Sequence, residues 1–381
     1  MIDLVSKLPH VGTTIFTIIG KLAMEHDAIN LSQGFPNFGT DPELLRLVQE
    51  AIASGHNQYA PMQGIYSLRE RIAEKIDTLY EHYYHPESEI TITASATQGI
   101  FTAISAFVNA HDEVIVFKPA YDCYEPAIEL CGGVVKPLQL KHGTFEVDWA
   151  EFKKAITTKT RMVIINTPHN PTGTILSEKD MLQLQVHLKD TDIIVVSDEV
   201  YEHLVFDGAS HQSAAKFEDL ASRSILCASF GKTFHVTGWK MGYCAAPKAL
   251  MREFRKVHQY VVFCVNHPIQ RGLAQYLKTP ENYLGLNNFY QQKRDYFLRG
   301  IQSSRFKFKP ALGTYFQLLD YSKITDEKDI DFSKRLIQEH RIASIPISVF
   351  NVNNEDYRQL RFCFAKTTET LDKAIEILNR F

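Results

Sequence analysis

Short runs of Val, Ile and Leu recur between residues 90 and 246, each bounded by polar or glycine-containing segments. The runs VIVF, MVIIN and DIIVVS have no polar face, which is what strands buried on both sides require. They predict strands at Ile90–Thr93, Val114–Phe117, Arg161–Asn166, Ile193–Ser197, Ile225–Ser229 and Met241–Ala246. Between most of them lie stretches with helical spacing, such as Gly99–Ala110 and Glu178–Leu188. Alternation of this kind predicts an α/β layer with a largely parallel sheet. Past about residue 275 a long polar helical pattern, Glu281–Ser303, leads into FKFKP, TYFQLLD, ASIPIS and QLRFCFA. These read as short strands of a smaller α+β unit. The first forty or so residues read as loop-rich, with QGFPNFGTDP as dense turn chemistry.

Composition narrows the class. A chain of 381 residues with 45% hydrophobic and 22% charged positions can bury a sizeable core without disulfide staples. The net charge of −3, with no long basic run, argues against a general grip on nucleic acid. No uninterrupted apolar stretch is long enough to cross a membrane. The opening segment has its apolar part broken by Pro9, His10 and Gly12, so it reads as a poor signal peptide. Six cysteines are scattered without a C-x-x-C pair, most in apolar strings such as ILCAS and RFCFA. The expectation is reduced thiols in a cytoplasmic enzyme.

Ligands of a parallel α/β sheet gather at the carboxyl ends of its strands. Three predicted strand ends carry unusual polar residues: Asn166 with TPHNPTG, Asp198 with EVY, and Ser229 with FGK. Lys232 follows the last of these in a loop with apolar and aromatic neighbours. In such surroundings a lysine loses basicity and can act as a nucleophile; the bland alternative is a lysine snorkelling from a surface loop. Gly231-Lys232-Thr233 mimics the tail of a P-loop, but the glycine that motif needs is Leu226. No G-x-G-x-x-G occurs either. Asp198 closes a buried run, where a carboxylate is costly without a cationic partner; a helix N-cap is the plainer use. Tyr201 follows three residues later and either enters the same cleft or packs as an ordinary aromatic. Asn170 sits among two X-Pro bonds, a rigid donor or part of a plain turn. Ser95, Ala96 and Thr97 lie where a strand passes into a helix, so their N–H groups suit a phosphate or a simple cap. Arg361, among apolar neighbours, needs a carboxylate from a ligand or from the protein itself. His82 and His85 have a metal-like spacing but no visible third ligand and read as a solvated helix end.

Taken together, N-P-x-G, D-E-V-Y, S-x-G-K-T-x-x-x-T-G-W-K and R-F-C-F-A-K resemble the fold type I, class I pyridoxal-phosphate aminotransferases. The match covers nearly the whole chain in order. It is similar above all to the kynurenine/glutamine transaminases and bacterial methionine aminotransferases, through LSQGFPNF, NQYAPMQG, YDCYEPAI, NTPHNPTG, SDEVYEH, ASFGKT, RKVHQY and GTYF. The resemblance implies an α/β fold with a large domain around a mostly parallel seven-stranded sheet. It also implies a smaller α+β domain. The expected division is 1–40 as an arm joining the small domain, 41–275 as the large cofactor-binding domain, and 276–381 as the small domain.

The resemblance also carries roles. Lys232 would link covalently to pyridoxal 5′-phosphate and, once displaced, move the substrate proton. Asp198 would pair with the pyridine nitrogen, making the ring an electron sink. Tyr201 and Asn170 would bond the phenolic oxygen, and Tyr121 would stack on the ring. Ser95, Ala96, Thr97, Ser229 and Lys240 would hold the phosphate, joined by Tyr59 from a neighbouring subunit, which implies a homodimer with shared sites. Arg361 would clamp the substrate α-carboxylate with help from Gly34 and Asn170.

The chain departs from its relatives at several of these places. A glycine pair at the phosphate turn reads Ser95-Ala96, a tryptophan near the N-terminus matches Phe16, and a histidine after Phe263 matches Cys264. The stretch VVFCVNHP offers no arginine for a second carboxylate. Phe16, Phe263 and Tyr59 are therefore expected to form a pocket for apolar, sulfur-containing or aromatic side chains. The implied reaction is transfer of an amino group from methionine or an aromatic amino acid to a 2-oxo acid, by a ping-pong route through pyridoxamine phosphate. The alternative is a kynurenine/glutamine transaminase-type enzyme that cleaves cysteine conjugates as a β-lyase. A cofactor-sensing regulator is not expected, since it would need an added DNA-binding segment and the fold is expected to start within the first few dozen residues.

Overall fold

A computed structural model describes residues 2 and 4–381. After a short β1 (Ile29–Asn30) come β2 (Ile90–Thr93), β3 (Glu113–Lys118), β4 (Val134–Gln139), β5 (Thr160–Asn166), β6 (Ile194–Asp198), β7 (Ser224–Ser229) and β8 (Gly242–Ala245). The last seven form one sheet in the order β2-β8-β7-β6-β5-β3-β4. Five neighbours from β7 to β4 run parallel. β8 is antiparallel to both β7 and β2. Because β8 is reversed, β2 points the same way as the parallel strands, and β8 begins at the edge where the others end.

The uniform apolar runs are explained by burial on two faces. Val114, Val116, Met162, Ile164, Ile194 and Val196 pack into one core with Ala103 and Ile104 from the helix Ala96–Phe107. The alternate residues Ile115, Val163, Ile165 and Val195 pack on the other side with Leu184 and Leu188 of the helix Glu178–Leu188. That helix starts on a capping box between Ser177 and Asp180. One strand of this sheet lies outside the expected set. β4 occupies the sheet edge and is half exposed, with Lys136 and Pro137 in its middle. An edge position tolerates both residues, so its pattern lacks the apolar run that marks a central strand.

The C-terminal part contributes β9 (Phe316–Asp320), β10 (Ile342–Ala343), β11 (Ile345–Pro346) and β12 (Gln359–Cys363). β12 lies between β11 and β9, antiparallel to both. FKFKP, expected as a strand, makes only an isolated bridge from Lys307 to Asp320. The long polar helix is divided at Gly285 into Glu281–Leu284 and Leu286–Gly300. The first forty residues are not all loop: Ile15–Glu25 is a helix whose N-cap, Thr14, accepts from Thr17 N–H. Ile19 and Ala23, one helical turn apart, bury against Leu318, Ile337, Ala343 and Ile345. β1 then pairs in parallel with β10, so the N-terminal segment packs on the C-terminal part. No helix of the described residues is long and apolar enough to cross a membrane.

One buried ion pair ties the large sheet to the helix Tyr66–Tyr80. Lys75 Nζ bonds Glu202, whose other oxygen accepts from Tyr80 Oη at 2.7 Å. Burial alone would raise the Glu202 carboxyl, but the Lys75 ammonium and the tyrosine donor bring it down to about 2. Removing one member of such a pair strands a buried charge. Lys75→Met is expected to lower the free energy of unfolding by about 3–5 kcal/mol, read from urea denaturation; a change under about 1 kcal/mol would show the pair to be dispensable.

Candidate active site

The strand directions bring the polar strand ends to one edge. There a cavity of about 130 Å³ is lined by Ser95, Ala96, Thr97, Tyr121, Asn166, Asn170, Asp198, Tyr201, Ser229, Lys232 and Lys240, among others. Ser95–Thr97 arrive after β2, Tyr121 after β3, Asn166 and Asn170 at and after β5, Asp198 and Tyr201 at and after β6, and Ser229 and Lys232 at and after β7. Lys240 comes from the opposite direction, just before the reversed β8. Asn166 and Asp198 are paired residues of β5 and β6. Asn166 Nδ2 donates to the Asp198 carbonyl at 2.8 Å, and Asn166 Oδ1 accepts from Asn170 N–H at 2.8 Å. One side chain thus fixes two of its neighbours. The peptide bonds before Pro168 and Pro171 are both cis.

The helix Ala96–Phe107 starts at the cavity with no side-chain cap. Its first N–H groups face outward, as an anion site requires. Ser95 holds φ +79° there, a region that favours glycine. Gly242 presses against this turn: an added Cβ would stand 2.9 Å from Ala96 N and 2.6 Å from the Ala228 carbonyl oxygen. Only glycine lets β8 lie against the helix start.

Lys232 sits at the cavity floor. Its Nζ donates to the Gly34 carbonyl at 3.1 Å and to Tyr315 Oη at 3.0 Å. Burial lowers its amine to about 8, with Arg361 and Lys240 adding to the effect. Asp198 is displaced in the opposite direction. Burial raises its carboxyl to about 6, while a hydrogen bond from Tyr124 and the N–H of Val200 hold it down. Tyr124 Oη donates to Asp198 Oδ2 at 2.5 Å. Burial raises the Tyr201 phenol well above its ordinary value.

Arg361, on β12, is almost fully buried. Its guanidinium lies 3.8 Å from the Phe316 ring centre and 5.2 Å from that of Phe16. It donates to Asn170 Oδ1 at 2.7 Å and to the Ser32 carbonyl at 2.8 Å, while Nε has no partner. Among the described residues no carboxylate forms an ion pair with it. A buried cation whose Nε has no partner calls for an anion from outside. The alternative of an internal ion pair finds no partner among the described residues.

Tyr59 and Phe263 are not brought to this cavity within one chain. They meet edge to face with ring centres 5.3 Å apart and are largely exposed, 81% and 51%. The sequence reading passed over Tyr124 and Tyr315 and noted Asn166 only as a strand end. Tyr124 lies three positions past Tyr121 at the start of a helix, and Tyr315 lies in GTYF; both signals were present but pointed equally well to packing.

These features suit a phosphorylated cationic heterocycle. A free helix start, a buried carboxylate, a lysine of lowered basicity and an aromatic face surround one small space. The family model for aminotransferase class I and II matches residues 26–378. The chain belongs to this family.

Among its relatives, this aminotransferase is 47% identical to the methionine aminotransferase of Escherichia coli over 98% of the chain and 97% of that protein. The crystal structure of an Escherichia coli methionine aminotransferase superposes with a TM-score of 0.98, at 46% identity over the full length of both chains. The human kynurenine–oxoglutarate transaminase 1 is 30% identical over 95% of the chain and 94% of that protein. The Mycobacterium tuberculosis N-succinyldiaminopimelate aminotransferase structure has a TM-score of 0.94 at 34% identity, covering 99% and 100%.

Tyr124 is expected to keep Asp198 ionised near neutral pH. With the cofactor removed, Tyr124→Phe should raise the Asp198 midpoint above about 6, followed by carbon-13 chemical shifts of labelled aspartate. An unchanged midpoint would show that the hydroxyl does not stabilise the carboxylate.

Proposed function

We propose that this aminotransferase carries pyridoxal 5′-phosphate on Lys232 and transfers the amino group of methionine or an aromatic amino acid to a 2-oxo acid. The exchange is ping-pong: the donor leaves as its oxo acid before the acceptor enters. The observation that carries this reading is the shared cavity, where the lowered amine of Lys232 lies against the same small space as Asp198 and the uncapped helix start. When bound, the cofactor supplies an aldehyde carbon that takes up the amino group and a ring that draws electron density from the substrate Cα.

The chain's own groups do the rest. The N–H groups at Ser95, Ala96 and Thr97, with Ser229 and Lys240, hold the phosphate. Asp198, kept ionised by Tyr124, keeps a proton on the ring nitrogen. Asn170 and Tyr201 bond the ring oxygen, and Tyr121 covers a ring face. Arg361, positioned by its stacking on Phe316 and by Asn170, takes the substrate α-carboxylate in its fork, with the Gly34 N–H assisting. Phe16, 5.2 Å from the guanidinium, borders the substrate side chain. Lys232, when free, would take the proton from the substrate Cα and deliver it to the carbon that came from the cofactor aldehyde. A methionine or aromatic donor is supported by the name of the Escherichia coli relative and by the lack of an arginine in VVFCVNHP.

The same reading includes a homodimer. Tyr59 and Phe263 are exposed aromatics in contact with each other, and an uncovered patch of this kind suits a partner. Tyr59 and Phe263 then serve the partner's site. It also includes a cytoplasmic enzyme and the division into an arm, a large domain and a small domain at residues 41 and 276.

A panel of amino acids against several 2-oxo acids tests the reaction. Methionine should bleach the cofactor absorbance and yield its oxo acid; pyruvate and ammonia released from cysteine conjugates without an acceptor would point to the β-lyase instead. Lys232→Ala should bind the cofactor yet fail to turn over, and undiminished transamination would remove Lys232 from the mechanism. Arg361→Ala loses two charged hydrogen bonds of about 1.5–3 kcal/mol each to a carboxylate. Its kcat/KM for methionine should fall at least about a hundredfold, mainly through KM; an unaltered KM would place the carboxylate clamp elsewhere.

A further inference from the structure

We propose that the Tyr315 hydroxyl and the Gly34 carbonyl together form a dock that receives the ε-amine of Lys232 whenever that amine is not linked to the cofactor. The inference rests on the assignment of Lys232 above, and it gives a role to a tyrosine that the motifs leave unassigned.

Three atoms close a small ring of hydrogen bonds. Lys232 Nζ donates to Tyr315 Oη at 3.0 Å and to the Gly34 oxygen at 3.1 Å, while Tyr315 Oη donates to that same oxygen at 2.5 Å. The phenolic hydrogen is committed to Gly34, so the oxygen presents a lone pair to the lysine. Both dock atoms are therefore acceptors toward the amine. Acceptors stabilise the ammonium more than the neutral amine, and the dock holds a protonated Lys232 better than a neutral one.

The dock is rigid. Tyr315 is fully buried, and its ring lies edge-on to Tyr201 at 5.2 Å and to Phe316 at 5.0 Å. Its backbone carbonyl accepts from Phe364 N–H at 3.0 Å. Thr314, just before it, holds φ +64° and donates to the Leu204 carbonyl at 3.0 Å. Gly34 can approach only because it has no side chain: a Cβ there would stand 2.6 Å from Phe316 Cζ. Neither partner can swing away to meet a different group.

In turnover the Cα–H bond breaks, its electron pair is drawn from the substrate carbon toward the ring, and the proton becomes an N–H of Lys232. The dock gives that ammonium two acceptors within reach of the site, so the proton is kept on Lys232 until it is delivered to the carbon that came from the cofactor aldehyde. Other groups facing Lys232 act by charge: Arg361 and Lys240 oppose its protonation, and Asp198 favours it.

Tyr315→Phe keeps the ring and removes the acceptor. The test uses the full chain stripped of cofactor. Pyridoxal 5′-phosphate is added from about pH 6 to about pH 10, and the rate of capture is followed by absorbance. Only the neutral amine captures the aldehyde, so the midpoint reports Lys232. In the wild-type protein it should lie near 8, and in the variant at least about half a unit lower, because the charged form has lost an acceptor. A loosened site would admit water and move the midpoint up toward that of an ordinary lysine. An unchanged or raised midpoint therefore overturns the dock. A crystal structure of the wild-type protein holding pyridoxamine 5′-phosphate, where Lys232 is free, gives a second check. Nζ within hydrogen-bond distance of both Tyr315 Oη and the Gly34 oxygen supports the dock; an amine bonded elsewhere overturns it. Borohydride trapping with peptide mapping separates the two levels. A wild-type adduct away from Lys232 brings down the functional reading and the dock together, whereas an adduct on Lys232 without the shift brings down the dock alone.

Discussion

The contact of the Lys232 amine with Gly34 and Tyr315 joins three parts of the chain that lie far apart in sequence. One comes from the N-terminal segment, one from the end of a central strand, and one from the lead into β9. From Ser32 to Phe35 the segment lies outside any helix or strand. Three of its carbonyls are taken by cations: the Ser32 oxygen by Arg361, the Gly34 oxygen by Lys232, and the Phe35 oxygen by Lys366 at 2.8 Å. Buried carbonyls must be bonded somewhere, and here the residues that satisfy them include both cations assigned to the chemistry. The floor of the site exists only when the N-terminal segment and the C-terminal part have packed together.

Burial acts on the two ionisable groups of the cavity in opposite senses. It lowers Lys232 to about 8 and raises Asp198 to about 6. Both values move toward neutrality, where a group can give and take protons efficiently. The balance is adjusted locally, by Tyr124 on the carboxylate and by the Tyr315–Gly34 pair on the amine. Arg361 and Lys240 leave the cavity with more positive than negative charge, which suits an anionic ligand in a region of low dielectric.

The segment SDEVYEH divides its side chains between chemistry and anchorage. Asp198 and Tyr201 line the cavity. Glu199 is held by Ser197 Oγ at 2.7 Å and Ala214 N–H at 3.0 Å, with His211 Nε2 at 2.8 Å. Glu202 is held by Lys75, Tyr80 and Tyr243. Two buried carboxylates thus fix the turn from behind, and the precision of Asp198 and Tyr201 depends on residues that never touch the cavity.

Local pattern was sufficient for the central strands, because burial on both faces leaves a run of apolar residues that few other structures require. The motif residues were equally legible: Lys232, Asp198, Asn170 and Ser95 stand at strand ends, where a parallel sheet gathers its ligands. The edge strand β4 was not, since exposure on one edge admits Lys136 and Pro137 and erases the run. The helix Ile15–Glu25 was hidden for a similar reason, its buried face reduced to Ile19 and Ala23 among flanking turns. Whether Arg361 had an internal partner, whether Tyr124 and Tyr315 were packing or polar contacts, and which way Glu199 and Glu202 pointed were decided only by tertiary structure. Those questions turn on which distant groups come within about 3 Å of one another, and neither periodicity nor propensity along a chain encodes that distance.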